Sequence, residues 1–318
     1  MNRKPFLLLL LLILLLLVPT PSQAFWIWTP ETNKWVNPKY DVKDTPQEQL
    51  EYALEFYKSK DYEKAIDECR KLIKHYPKSR QAPEAQYSIG VALEDQGKFF
   101  DAYKAYQVVI DMYPFSERSP EIIKKEFDIG VKILEGKGKG FWTETLGVGN
   151  YDVIDIFRTV IKNAPYGELA AAAQYKIGLY LHEKQLYQEA RDEFEKVIND
   201  YPDSQWAKAA QYQIALSDAK RSTNAQYDQK TTQAAVEEFK QFVKENPDAE
   251  LSQEAKNHID KLHDKDAENN FVVAEFYEKQ KNYAAAKIYY QSIINDFANT
   301  PWAGKAVEKI QKLGSKIK

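Results

Sequence analysis

A short helical pattern recurs along the chain, and it limits the possible folds more than any other feature. Ala85-Gln86-Tyr87-Ser88-Ile89-Gly90 returns as Ala173-Gln174-Tyr175-Lys176-Ile177-Gly178 and as Ala210-Gln211-Tyr212-Gln213-Ile214-Ala215. From Gly90, Ala102, Tyr106, Val109 and Pro114 lie 12, 16, 19 and 24 residues on. The same offsets from Gly178 give Ala190, Phe194, Val197 and Pro202, and from Ala53 they give Ala65, Cys69, Leu72 and Pro77. Another copy starts at Ala274 and continues through Ala286, Tyr290, Ile293 and Ala298. Two copies carry inserts, one running from Gly130 to Val153, Phe157, Val160 and Pro165, the other from Ala215 to Ala235, Phe239, Phe242 and Pro247. The small residues let two helices approach closely, and the apolar residues at helical spacing fill the space between them. Proline ends the second helix because it lacks an N–H and clashes with the preceding turn. Ser79, Ser116 and Ser204 stand two residues after their prolines, where they are expected to cap the next helix. One such hairpin cannot bury both its faces, so copies must stack. The pattern predicts an all-α fold, an α-solenoid of about six helical hairpins.

Composition removes several function classes. The 318 residues carry 44 Lys plus Arg against 47 Asp plus Glu, a net charge of −3. A nucleic-acid binder needs a basic excess or a basic face. The one cysteine, Cys69, excludes an intrachain disulfide and a cysteine-built zinc site. Arg3 and Lys4 precede an apolar run from Phe6 to Val18; Pro19 and Pro21 follow, then Ser22-Gln23-Ala24. This is the layout of a secretory signal peptide cut after Ala24. The run is shorter than the roughly 20 residues of a membrane span, which disfavours an uncleaved anchor. The expected location is the periplasm.

The offset set resembles the tetratricopeptide repeat over about residues 46–312, with a spacing of 37 between Ala53 and Gly90 and between Gly178 and Ala215. The last third departs from a plain repeat. Gln233 to Glu245 reads as one helix and Glu250 to Gln280 as a long one. Then follow Phe271-Val272-Val273-Ala274-Glu275-Phe276-Tyr277, Asn282-Tyr283-Ala284-Ala285-Ala286 and Tyr289-Tyr290-Gln291-Ser292-Ile293-Ile294-Asn295-Asp296-Phe297. This order is similar to the C-terminal half of BamD-type proteins, the repeat-built lipoprotein subunit of the outer-membrane β-barrel assembly machine. The likeness is best over about 170–312. That family carries a lipid-modified cysteine just after its signal peptide, whereas no cysteine precedes Cys69 here. The expected organisation is a signal peptide (1–24), an aromatic N-terminal arm (25–45), repeats 1–3 (46–170, with a Gly-rich insert at 136–149) and BamD-like repeats 4–6 (171–318).

Several features invite a chemical reading. Cys69 occupies the slot held elsewhere by Tyr106, Phe157, Phe194, Phe239 and Tyr290, which makes it a core residue rather than a reactive thiol. His258 and His263 are five residues apart, a poor spacing for metal ligands on one helix face, so a solvated face is expected there. Gly136-Lys137-Gly138-Lys139-Gly140 lacks the spacing of a phosphate loop and reads as an insert tipped by Phe141 and Trp142. No metal and no cofactor are expected.

Candidate partner-binding residues are aromatic. Tyr87, Phe127, Tyr175, Tyr212 and Phe271 each stand three residues before the small residue of their copy. In tetratricopeptide proteins this side of the first helix lines the inner surface, so these rings are candidates for a ladder that holds an extended peptide. Packing between repeats is the competing reading, and both stand at this point. Trp26, Trp28 and Trp35, three of the six tryptophans, lie within ten residues of the arm. They are candidates for a membrane interface, a partner groove or docking on the first repeat, and with Phe141 and Trp142 they complete the set.

The BamD-type resemblance implies a non-enzymatic periplasmic scaffold in outer-membrane β-barrel assembly. Its partners would be the membrane-embedded assembly channel subunit and unfolded β-barrel clients, with no nucleic acid and with membrane association through the N-terminus or a partner. The alternative is a periplasmic tetratricopeptide scaffold that coordinates peptidoglycan synthesis or envelope constriction. A catalytic domain is not expected, because the repeats occupy most of the chain.

Overall fold

The computed structural model describes residues 26–29, 34–36, 41–136, 152–224 and 229–314. The expected signal peptide and the Gly-rich insert with Phe141 and Trp142 lie outside the described residues. The described residues form two compact units, Met1–Ser116 and Glu117–Lys318.

The first unit holds a two-stranded antiparallel ribbon, β1 (Ile27–Thr29) with β2 (Lys34–Val36), and four helices. These are α1 (Pro46–Lys58), α2 (Tyr62–His75), α3 (Gln81–Asp95) and α4 (Phe99–Met112). Thr45 caps α1 in a reciprocal box with Glu48, and Asp61 caps α2 by accepting from the Lys64 N–H. The α1/α2 and α3/α4 hairpins share a core built from Leu50, Ala53, Cys69, Leu72, Ala85 and Ile89. Cys69 is 2% exposed, and burial pushes its thiol up to about 12, so it stays protonated and inert.

The second unit contains α5 (Ser119–Leu134), α6 (Asp152–Asn163), α7 (Glu168–Glu183), α8 (Tyr187–Asp200), α9 (Gln205–Asn224), α10 (Gln229–Glu245), α11 (Glu250–Lys279), α12 (Tyr283–Asp296) and α13 (Pro301–Gly314). The described fold is all-α, thirteen helices in a tetratricopeptide-like arrangement. Within each unit, each helix packs on the next along the chain. The first helices of successive hairpins (α5, α7, α9, α11) also adjoin one another and form a continuous layer. A helix in the middle of that layer touches neighbours on several sides. This is why α7, with Ala170, Ala171, Ala172, Ala173, Tyr175 and Ile177 all buried, lacks a polar face of normal width.

The small residue of each copy explains the tight hairpins. A Cβ placed on Gly178 would lie 2.5 Å from Phe194 Cε1, and one on Gly130 would lie 2.8 Å from Phe157 Cε1. The ring of the second helix rests directly on the backbone of the first. Burying a ring this fully contributes about 2–3 kcal/mol.

The serine caps do not form as expected. Arg80 occupies the cap position of α3 with no side-chain bond, and the Ser79 hydroxyl is buried without a hydrogen-bond partner. The Ser204 hydroxyl, next to α9, is in the same state. Their backbones close the turn instead: Ser79 N–H donates to the Tyr76 carbonyl and Ser204 N–H to that of Tyr201. The first turns of α3 and α9 use the serine carbonyls instead of the hydroxyls: Ala82 N–H donates to the Ser79 carbonyl and Ala207 N–H to that of Ser204.

The 30-residue α11 serves two cores. Its N-terminal half places Ala255 and Leu262 against α9 and α10; its C-terminal half places Ala267, Phe271 and Ala274 against α12 and α13. At the changeover Lys265 Nζ donates to the Ser222 carbonyl at 2.6 Å, satisfying one of the open carbonyls that end α9. Burial pushes the neighbouring Asp266 carboxyl from 3.8 up to about 6.

Two predictions follow from this packing. Gly178→Ala should lower stability by about 1–3 kcal/mol, read as a fall in the urea midpoint, because Phe194 must leave its seat. Because the folded state holds the Asp266 proton more tightly than the unfolded chain, stability falls as pH rises from about 4 to about 6. Asp266→Asn should therefore melt higher than the natural protein at pH 7.5, with the difference vanishing below pH 4.

Candidate protein-interaction surface

The five ladder rings are engaged between helices. Tyr175 on α7 and Tyr212 on α9 are buried, as is Phe271 on α11; Tyr87 on α3 and Phe127 on α5 are half-buried. Each meets the second-helix ring of its own hairpin: Tyr87 with Tyr106, Phe127 with Phe157, Tyr175 with Phe194, Tyr212 with Phe239 and Phe271 with Tyr290, at centroid distances of 5.7, 5.7, 5.4, 5.7 and 5.2 Å. The buried three also meet a ring from the helix that comes after their own hairpin. Trp206 lies 5.0 Å from Tyr175, His258 6.4 Å from Tyr212 and Trp302 5.2 Å from Phe271. Trp206 and Trp302 each stand four residues after the proline slot of their copies (Pro202 and Ala298), a regularity that the offset set above did not include.

His258 and His263 lie against rings rather than on a freely solvated face. His258 stacks on Phe239 at 5.2 Å and an interplanar angle of 4°, while His263 meets Phe297 edge-on at 5.8 Å. Helical rotation over five residues sends them into the two different cores of α11. Burial lowers the proton affinity of both. Among the described residues no cluster of three or more His, Cys, Asp or Glu side chains could hold a metal ion.

Polar links tie the same hairpins together. Four residues before the small residue, a glutamine reaches across to the second helix. Gln49 Nε2 donates to the Glu68 carbonyl at 3.1 Å and to its carboxylate at 2.8 Å. Gln86 donates to the Ala105 carbonyl at 2.9 Å, and Gln174 to the Glu193 carbonyl at 3.3 Å and to its carboxylate. Where the ring slot is tyrosine, its hydroxyl donates to a glutamate four residues after the small residue: Tyr106 to Glu94 at 2.9 Å and Tyr290 to Glu278 at 3.2 Å. Where the slot is phenylalanine, that position holds Leu134, His182 or Ala219.

One ionic cluster joins α8, α9 and α10. Arg191 reaches Asp218 and Glu238, each at 3.2 Å, and also Glu195; Arg221 bonds Asp218 at 2.9 Å. Asp218 is almost wholly buried. Burial raises the Glu238 carboxyl, with Asp218 adding repulsion and Arg191 opposing the rise. The cluster is a clasp between repeats, paid for in desolvation.

The family model YfiO, described as an outer membrane lipoprotein, matches residues 154–316, from the first turn of α6 beyond the end of α13. The chain belongs to the YfiO family. This is the BamD-type family of the sequence resemblance. A tetratricopeptide-repeat model matches residues 50–117. No curated protein sequence matches this YfiO-family chain. Among solved structures, a tetratricopeptide repeat protein from Parabacteroides merdae is 14% identical, covering 78% of this chain and 91% of its own, with a TM-score of 0.36. The C-terminal part of a repeat-containing protein from Cytophaga hutchinsonii is 16% identical, covering 83% and 87%, with a TM-score of 0.37. MamA from Desulfovibrio magneticus is 14% identical, covering 66% and 99%, with a TM-score of 0.33. No helix among the described residues is long and apolar enough to cross a membrane.

With the ladder rings packed inside, the YfiO-family region presents other apolar side chains to solvent. Val272 and Phe276, one turn apart on α11, are more than half exposed, as is Ile288 on α12. Tyr277, beside Phe276, stacks on Tyr289 at 5.6 Å. Lys309 bonds Glu275 at 2.8 Å and Glu278 at 3.2 Å, fastening α13 beside this face.

Replacing Arg191 with methionine should cost about 1–3 kcal/mol, because the buried Asp218 keeps only Arg221 and the half-buried Glu238 loses its cation. Adding Asp218→Asn and Glu238→Gln to that variant should recover most of the loss, measured as urea midpoints of the single and triple variants.

Proposed function

We propose that this protein is a non-enzymatic periplasmic scaffold in the assembly of outer-membrane β-barrel proteins. The observation that carries the reading is the YfiO match, which spans α6 to α13 and so includes the long α11 and the closing α13. Stacked repeats suit the role because they offer an extended, weakly specific surface instead of a single pocket. Client segments in extended form would lie along the first-helix layer of the second unit, where Phe127 keeps part of its ring at the surface. The assembly channel subunit would dock on the last hairpin, where Val272 and Phe276 supply an uncovered apolar ridge. Coordination of peptidoglycan synthesis by the same kind of scaffold is the competing role.

A photoactivatable cross-linking residue in place of Phe276, introduced in the native cell, tests this reading. The expected product is an adduct with the outer-membrane β-barrel assembly subunit, identified by mass spectrometry, and reduced at least about tenfold by Val272→Asp. Adducts with cell-wall synthases and none with barrel-assembly proteins would overturn it.

A further inference from the structure

The tryptophans among the described residues fall into two environments. Trp206 and Trp302 are packed on Tyr175 and Phe271 within the repeats. Trp26, Trp28 and Trp35 are 55%, 41% and 62% exposed. The strand register sets the last three together. Trp28 pairs with Trp35 across the ladder, so their side chains share a face, and Trp26, two residues before Trp28, falls in phase with them. Ile27 points to the other face and is 42% exposed. The Trp28 and Trp35 rings meet edge to face at 5.7 Å, which holds them side by side at the surface. Among the described residues, neither strand packs broadly on any helix. A lone two-stranded ribbon is marginal in water, so an outside surface that covers the tryptophan face would stabilise it.

We propose that this tryptophan face is a membrane anchor that seats in the interfacial region of a lipid bilayer. Three observations select a bilayer over a protein groove. Indole combines an apolar ring with an N–H donor, which suits the boundary between headgroups and acyl chains. The family to which the chain belongs is one of outer-membrane lipoproteins, and lipoproteins carry their acyl chains on a cysteine. The cysteine of this sequence, Cys69, is buried in α2, where its thiol is closed off from an acyl chain. The ribbon, in contrast, lies just after the expected signal peptide, where such a lipid would attach. Lastly, residues 25–40 carry Lys34 and Lys39 against Glu31, a small positive excess that does not oppose approach to anionic headgroups. Three aromatic side chains on one small face give reversible attachment, weaker than a membrane-spanning helix.

The inference stands on the ribbon alone and does not depend on which proteins the repeats bind. The full chain as exported and processed by its own cell, with its N-terminus read by mass spectrometry, is mixed with vesicles of phosphatidylethanolamine and phosphatidylglycerol and floated on a density gradient. The natural protein should float with the vesicles, and its tryptophan emission should shift to the blue. The Trp26→Ser/Trp28→Ser/Trp35→Ser variant should lose at least about tenfold in vesicle-bound fraction. Its melting temperature should stay the same, because the substituted residues lie outside the helical cores. A natural protein that stays at the bottom of the gradient overturns the proposal. So does a triple variant that floats equally well, which would point to an uncut leader or another surface. A chain that does not float but dimerises through the tryptophans also overturns it and assigns the face to a second copy.

Discussion

Within each unit, everything depends on how closely the two helices of a hairpin approach. Gly130 and Gly178 remove the Cβ where Phe157 and Phe194 must sit, so each ring lies on bare backbone. That single contact sets the interhelical distance and brings the alanines at Ala190 and Ala173 into the interior. It also places the ladder ring, three residues earlier, against the same ring. The first helix of the next hairpin can then pack on both. Stacking is a consequence of this seat, because a hairpin closed so tightly still leaves its first helix uncovered on the outer side.

Polar groups decorate that frame according to what the ring slot holds. A tyrosine hydroxyl brought into a helix interface needs an acceptor, and Glu94 and Glu278 supply it to Tyr106 and Tyr290. A phenylalanine needs none, and the matching positions change character accordingly. The glutamines at 49, 86 and 174 act at a different level, tying a side-chain amide to a backbone carbonyl of the second helix. Such bonds add about 1 kcal/mol each, but their main effect is to fix the register in which apolar surfaces slide together.

The proposed role and the proposed anchor both draw on the places where the repeat is broken. The long α11 replaces a turn between hairpins with continuous helix, so its second half carries the last hairpin away from α9 and leaves Val272 and Phe276 open. The tryptophan ribbon lies outside the repeat altogether. A well-stacked repeat consumes its own apolar faces, so uncovered apolar surface is left where the stacking is broken.

The all-α class, the hairpin copies and the long helix near 250–280 were legible in the sequence because each depends on local spacing. Helical period, a small residue at a fixed offset and a terminating proline act within one or two turns, and no distant contact is needed to read them. The family resemblance was legible for the same reason, in the residue order of the last third. What faces inward was not legible. Tyr175, Tyr212 and Phe271 carry the same sequence signature as the half-open Tyr87 and Phe127, and Trp206, His258 and Trp302, from the helix after each hairpin, add to their cover. The Ser79 and Ser204 hydroxyls had the right position for caps, but the turn closed through its own backbone. Spacing along one helix determines which residues share a face; whether that face meets water, a neighbour or a partner is decided by packing between elements distant in sequence.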